Sequence, residues 1–178
     1  MPQWDPRAPK VGEQAADLEL LDEIGRPVEL SLIGRGAPLL VLVFGGLDDR
    51  EGIRLLRGFR DSTLAIARAG ASICAIGHAE PPALRYLRGE RGFGFRFFSD
   101  PDGTALSRWG MLDCAGLFLL DGDLIVRQRA LGAAGSPDTI LTLLRRGGAR
   151  RLRPTLRERA AHVLGAIQHA LRPLRPVR

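Results

Sequence analysis

The chain has 178 residues, of which 45% are hydrophobic, and this is enough for one folded domain with an ordinary core. Its two cysteines are too few for a disulfide framework, and neither has a His or Cys at zinc-ligand spacing, which excludes a disulfide-stapled scaffold and a zinc module. The net charge of +6 is uneven: residues 145–178 hold ten arginines and one acid, so that the preceding residues are mildly acidic.

The sequence also argues against membrane insertion and secretion. No apolar run reaches the 18 residues typical of a transmembrane helix. The first residues, MPQWDPRAPKVGEQ, lack the apolar segment of a signal peptide. We therefore expect a cytoplasmic protein in which Cys74 and Cys114 are free thiols.

The first half of the chain alternates between strand and helix patterns. DLELLDEIGRPVELSLI alternates and turns at Gly25, which predicts a short hairpin. PLLVLVF is a continuous apolar run, typical of a strand covered on both faces. Residues 50–68 carry apolar residues at helical spacing and predict a helix.

The second half continues this alternation and ends differently. GASICAIG predicts a second buried strand, and PPALRYLRGERG a helix with proline in its first turn. FRFFSDPDGTALSRWGM predicts a strand, a turn and a short helix. GLFLLDGDLIVRQRAL is the clearest hairpin, and SPDTILTLLRR predicts a helix with Ser136 as N-cap. The order predicts an α/β fold, with a central mixed sheet flanked by helices.

Four segments in this order resemble the AhpC/TSA family, the peroxiredoxin-like redox proteins with a thioredoxin-like fold. They are VGEQAADLELLDEIGRPVEL, LLVLVF, ICAIGHAEPPALRYLRGERGFGFRFFSDPDGTALSRWGM and GLFLLDGDLIVRQRALG. The resemblance covers about residues 11–146, and it implies a thioredoxin-like domain there, an irregular lead-in over 1–10 and a basic tail over 147–178.

The chain departs from that family where the family keeps its reactive thiols. With Phe44 aligned on the family's strand-ending aromatic residue, the usual Cys-x-x-Cys positions hold Arg50 and Ile53, and no cysteine precedes Cys74. The family's proline before the closing hairpin falls near Ala115, beside Cys114. A peroxide-reducing thiolate needs an oriented cysteine at a helix N-terminus, so the resemblance implies that this chemistry is absent there.

Two other residues are candidates for chemistry. Cys114 is either a relocated reactive thiol at the rim of the same cavity or a small apolar core residue, the usual state of a free cysteine. His78 follows a strand of the parallel sheet, at the edge where ligands gather, and is either a general base or ligand contact or an exposed loop histidine. Cys74 lies within a buried strand and is expected to be inert.

The acids before the second predicted helix have a structural explanation. Asp48, Asp49 and Glu51 suit N-capping and the first turn of a helix, where carboxylates complement the dipole. Metal binding or acid–base work is the alternative. Neither a cofactor motif nor a metal-ligand pattern is recognisable, so no cofactor is predicted.

The basic tail predicts an amphipathic helix over residues 154–171 with a cationic outer face. Its apolar stripe would dock on the body or on a second copy of the chain, forming a homodimer. Alternatively, the arginine-rich residues 145–178 would contact an anionic surface, either a membrane or a nucleic acid.

Two classes of function stay open at this point. The first is a pseudoenzyme of the redox family that binds a protein or small molecule or has a regulatory role. The second is a thiol oxidoreductase that uses Cys114. The absent cysteines favour the first, because a fold does not by itself confer an activity.

Overall fold

The computed structural model describes residues 3–151, including the backbone but not the side chains of 147–151. The amphipathic helix predicted at residues 154–171 lies outside the described residues, so it stays a prediction. Within residues 3–151 no helix is long and apolar enough to cross a membrane.

The described part of the chain forms seven strands, six α-helices and a short 3-10 helix. The strands are β1 (Glu19–Leu21), β2 (Pro27–Glu29), β3 (Leu39–Phe44), β4 (Ser72–Gly77), β5 (Arg96–Ser99), β6 (Gly116–Leu120) and β7 (Val126–Leu131). The helices are α1 (Leu30–Gly34), α2 (Arg50–Arg60), α3 (Thr63–Arg68), α4 (Pro81–Arg91), α5 (Thr104–Arg108), the 3-10 helix (Gly132–Ala134) and α6 (Pro137–Arg151).

All seven strands belong to one mixed sheet in the order β2-β1-β5-β4-β3-β6-β7. β3, β4 and β5 run parallel, as expected for strands joined through helices, whereas β6 and β7 add to the edge as an antiparallel hairpin. The predicted central mixed sheet flanked by helices is therefore confirmed.

The sheet separates two hydrophobic clusters, one on each face. Alternate residues of β3 serve the two sides: Leu40, Leu42 and Phe44 face one cluster, and Leu39, Val41 and Val43 face the other. The first cluster packs against α2, α3, α4 and α6, and the second against α1, α5 and the N-terminal segment. Burial on both faces explains why the strand sequence LLVLVF has no polar residue.

The N-terminal hairpin turns at Gly25, as predicted. Its strands are shorter than the alternating sequence pattern. Gly25 has φ +82°, a conformation that glycine adopts without strain. The alternation continues to Ile33, but residues 30–34 turn into α1. Leu30 is fully buried there, and its backbone N–H donates to the carbonyl of Leu18.

The single helix predicted over residues 50–68 is wrong, because the chain breaks it into α2 and α3 at Asp61 and Ser62. The backbone N–H of Ser62 bonds to the Phe59 carbonyl, and Thr63 Oγ1 donates to that of Arg60 at 2.9 Å. The turn rotates the face that follows, so Leu64 is 60% exposed and Ile66 is buried instead.

The predicted lead-in is irregular but packs on the domain. The Trp4 ring meets Phe118 edge to face at 5.4 Å, and the guanidinium of Arg129 lies 4.4 Å from the Trp4 ring centre. Arg129 Nη1 also donates to the carbonyls of Ala8 and Pro9, at 3.2 and 3.0 Å. These contacts tie the lead-in to β6 and β7.

Candidate functional site

The candidate site lies where β3 and β4 end beside each other. Phe44 and Gly77, the last residues of the two strands, are register partners. The chain leaves β3 through residues 45–49 into α2, and leaves β4 through His78 towards α4. Gly77 has to be a glycine, because a Cβ at this position would collide with the Phe44 ring.

The N-terminus of α2 is capped by a carboxylate of the chain itself. Asp49 is the N-cap, and its Oδ1 accepts the backbone N–H of Gly52 at 2.9 Å. Its other oxygen accepts the backbone N–H of Gly45 at 2.8 Å, which fixes the preceding loop. The positive end of the helix is therefore occupied by Asp49. The predicted capping role is confirmed for Asp49, and Glu51 lies in the first turn.

The inner side of the first turn of α2 is filled. A Cβ at Gly52 would collide with both the Asp49 carboxylate and the Cβ of Phe44. Gly52 is not among the residues that the sequence marks as candidates. The signal available in the sequence was a glycine in the first turn of the predicted helix, three residues after the capping aspartate.

The two positions aligned with the family's cysteines carry side chains without thiol chemistry. Arg50 is exposed at the first residue of α2 and faces a groove on the outside of the helix. Ile53 is partly buried and packs against the cluster under α2.

Cys114 is partly exposed in the connection between α5 and β6. It lines a cavity of about 320 Å³ together with Trp4 and Asp5 of the lead-in and Asp113, whereas the loop of residues 45–53 does not contribute to that lining. The two regions do approach each other, because a Cβ at Gly45 would lie 3.6 Å from the Leu112 carbonyl.

The surroundings of Cys114 disfavour a thiolate. Burial raises the pKa of its thiol above the ordinary value, and the negative charges of Asp113, Asp5, Asp49 and Glu51 raise it further. A reactive cysteine needs the opposite environment, with cations or a free helix N-terminus nearby. The capping carboxylate of α2 and its neighbour therefore act against the thiol chemistry predicted as the alternative.

Cys74 is unsuited to chemistry for a simpler reason. It is fully buried in β4 beside Val41, and desolvation raises its pKa to about 12. β4 and β6 lie on opposite sides of β3, and both cysteines are free.

His78 lies near the turn that leads into α5. Its backbone N–H donates to the Phe44 carbonyl at 3.4 Å, and a Cβ at Gly103 would lie 3.5 Å from its Nε2. No described side chain forms a hydrogen bond with its ring. Among residues 3–151, no group of three His, Cys, Asp or Glu side chains converges in a way that could hold a metal ion.

In comparison with protein families, a model of the AhpC/TSA family matches residues 11–129. No curated protein matches the chain.

Solved structures share the fold over most of their length. A peroxidoxin from Mycobacterium tuberculosis is 24% identical, with a TM-score of 0.68 over 78% of this chain and 97% of its own. A thiol peroxidase from Chromobacterium violaceum is 21% identical, with a TM-score of 0.66 over 79% of this chain and 88% of its own. A peroxiredoxin-like protein from Aquifex aeolicus is 14% identical, with a TM-score of 0.64 over 78% and 88%.

Proposed function

The chain belongs to the AhpC/TSA family, and we propose that it has kept the thioredoxin-like fold, has lost peroxidase activity and acts as a binding or regulatory module. The observation that carries the proposal is the state of the α2 N-terminus. A thiolate in that position would compete with the Asp49 carboxylate, which already accepts the N–H of Gly52 in the first turn of α2 and that of Gly45 in the loop before it. No cysteine precedes Cys74 in the sequence.

Two further features support the same proposal. The collision that a side chain at Gly52 would make means that the inside of the first turn has no room for another functional group. The two free cysteines both have raised pKa values, so neither is favoured as a thiolate at neutral pH. A cytoplasmic location and a homodimer stay predictions from the sequence.

The experiment is a peroxide-consumption assay with a thioredoxin-like reductant, on the full chain and on Cys114→Ser. We expect no turnover above the buffer rate for either protein. A catalytically active peroxidase from the same preparation scheme serves as the positive control. Sustained turnover of the full chain that Cys114→Ser abolishes would overturn the proposal and establish the alternative, a thiol oxidoreductase that uses Cys114.

One observation supports the alternative, a thiol oxidoreductase that uses Cys114. Cys114 is partly exposed and opens into a cavity of about 320 Å³, so that a small oxidant would reach it. Its raised pKa argues for slow reaction, because the thiolate is the nucleophile.

A further inference from the structure

An open groove runs along the outer face of α2 where the end of α4 approaches it. It encloses about 430 Å³, in the size range of small-molecule sites. Four arginines dominate its lining, with one carboxylate among them: the lining residues are Leu47, Asp48, Arg50, Ile53, Arg54, Arg57 and Arg91. We call this the arginine groove.

The arginines of α2 share one face of the helix. Arg50, Arg54 and Arg57 are spaced at i, i+4 and i+7, and Arg91 joins them from the last turn of α4. The row on α2 is about 10 Å long at the α-helical rise. All four side chains are exposed.

None of the four guanidinium groups has an ion-pair partner among the described residues. Arginines elsewhere in the same domain do, as in the pairs Arg60–Asp61 and Arg88–Glu23. Like charges one turn apart on a helix destabilise it, and a cation at the first residue, as at Arg50, opposes the dipole. Arg57 lies in the last turn of α2, where a cation favours the dipole, so the stability of the helix accounts for Arg57 but not for Arg50 or Arg54.

An apolar pocket of about 440 Å³ adjoins the arginine groove and shares Leu47 and Arg91 with it. Its remaining lining comes from one face of α4: Pro82, Ala83, Tyr86, Leu87 and Glu90. The Tyr86 residue is 68% exposed and Leu47 is 47% exposed, and the two line the same pocket, so they offer a contiguous apolar surface. The Tyr86 hydroxyl donates to Glu90 Oε1 at 2.8 Å, so this carboxylate is already engaged.

We propose that the arginine groove and the adjoining pocket bind a small organic polyphosphate, with the phosphates on the arginines and an aromatic body against Tyr86 and Leu47. A nucleoside triphosphate is the simplest such molecule. Guanidinium groups bind phosphate oxygens in pairs of charge-assisted hydrogen bonds, and an exposed aromatic ring is a stacking surface for a base. The inference deepens the proposed binding role and rests on it.

The charge and the length of the arginine groove favour a small polyphosphate over the basic tail, a nucleic acid strand or an acidic peptide. The two linings together hold four arginines against Asp48 and Glu90, a net charge of +2. The basic tail over residues 147–178 carries eight arginines and one acid, so it is repelled by such a surface. A nucleic acid strand or an acidic peptide would extend beyond a row of about 10 Å, and these two are outcomes of the test.

The test measures binding of ATP and of inorganic triphosphate to the full chain by isothermal titration calorimetry. Arg54→Gln/Arg57→Gln removes two charges from the groove, and Arg68→Gln/Arg85→Gln removes two from exposed positions outside it. Glutamine has nearly the helix propensity of arginine, so both variants should fold, which circular dichroism checks. We expect the groove variant to weaken ATP binding by about tenfold or more, and the control by less than about twofold.

A third variant separates the two halves of the site. Tyr86→Ser should weaken ATP binding by about tenfold and leave inorganic triphosphate within about twofold, because only ATP has a base to stack. The inference is overturned if the full chain does not bind ATP at 1 mM, or if both double variants lose affinity equally. It is also overturned if an oligonucleotide or an acidic peptide binds the groove more tightly than ATP does. Peroxide turnover is a separate readout, so failure here and failure of the proposed function remain distinguishable.

Discussion

At the scale of single residues, Asp49 has two roles that can be measured separately. It caps α2 through Gly52, and it ties down the preceding loop through Gly45. Replacing a capping aspartate by alanine costs about 1 kcal/mol, whereas asparagine caps about as well. We expect Asp49→Ala to lower the free energy of unfolding by about 1–2 kcal/mol, since a second bond is lost as well.

Urea unfolding of Asp49→Ala and Asp49→Asn measures how much each variant lowers the free energy of unfolding. The asparagine variant is the comparison, because its amide oxygen replaces one of the two carboxylate acceptors, whereas its NH2 group is a donor and cannot accept the other backbone N–H. It can keep the cap to Gly52 but loses the bond from Gly45, so we expect its loss to be about half that of alanine. Equal losses for both variants would show that the bond to Gly52 contributes nothing by itself, which would contradict the capping role of Asp49.

The two thiols should differ in how they respond to pH. The pKa of Cys114 is raised by burial and by the nearby carboxylates, so at neutral pH it is protonated in nearly every molecule. Since only the thiolate reacts, its alkylation rate should rise about tenfold per pH unit between about pH 6 and 8. Iodoacetamide labelling followed by mass spectrometry measures the rate at each pH.

Cys74 provides the internal comparison. Its pKa of about 12 and its complete burial predict no labelling until the protein unfolds. Added salt should speed labelling of Cys114, because it screens the carboxylates that oppose its ionisation. A rate for Cys114 that is already on a plateau at pH 7 would mean a depressed pKa, and would favour the thiol oxidoreductase.

At the scale of elements, α2 contains two glycines with opposite expected effects. A Cβ at Gly52 collides with Asp49 and Phe44, but a Cβ at Gly58 has nothing within 4 Å. Alanine at 58 should raise the free energy of unfolding by about 0.5–1 kcal/mol, because glycine weakens a helix interior. Alanine at 52 should lower it by about 1–3 kcal/mol, as overpacking does.

Thermal and urea unfolding of the two alanine variants test this pair on one helix. Both variants replace glycine by alanine, so the gain in helix propensity is largely the same for both. The space around the new Cβ then decides whether the free energy of unfolding rises or falls. A stabilised Gly52→Ala would mean that the Asp49 cap moves aside at little cost, which would weaken the proposal built on it.

Strands, turns and helix starts that are marked by a local residue pattern could be predicted from the sequence. The apolar runs of β3 and β4 predict buried strands because both faces of the sheet are covered. Gly25 and Ser136 mark a turn and a helix start, and the hydroxyl of Ser136 accepts the backbone N–H of Thr139.

What the sequence did not predict depends on partners distant in the chain. The lead-in packs because Arg129, more than a hundred residues away, reaches Trp4 and the carbonyl of Ala8. The arginine groove combines one helix face with Arg91 from another helix, a combination set by the packing of α2 and α4. The break at Asp61 has too weak a local signal to outweigh the helical spacing that continues on both sides of it.

At the scale of the whole molecule, residues 3–151 contain a hydrophobic cluster on each face of the sheet. α6 contributes Ile140, Leu141 and Leu144 to one of its clusters. We therefore expect a chain that ends at residue 151 to unfold in one cooperative urea transition, with the same slope as the full chain, because the slope follows the surface exposed on unfolding. Both tryptophans, Trp4 and Trp109, are retained, so fluorescence and circular dichroism can be compared.

A chain that ends at residue 136 is the matched comparison, because it lacks α6 and exposes the cluster beneath it. It should lose the cooperative transition, whereas the chain ending at 151 keeps coincident transitions by both probes. Separate transitions in the chain ending at 151 would mean that the tail is part of the core. A lower midpoint together with a smaller slope would instead measure docking of the predicted amphipathic helix, because a docked helix adds to the surface exposed on unfolding. Sedimentation of the full and shortened chains then shows whether it docks on its own body or on a second copy.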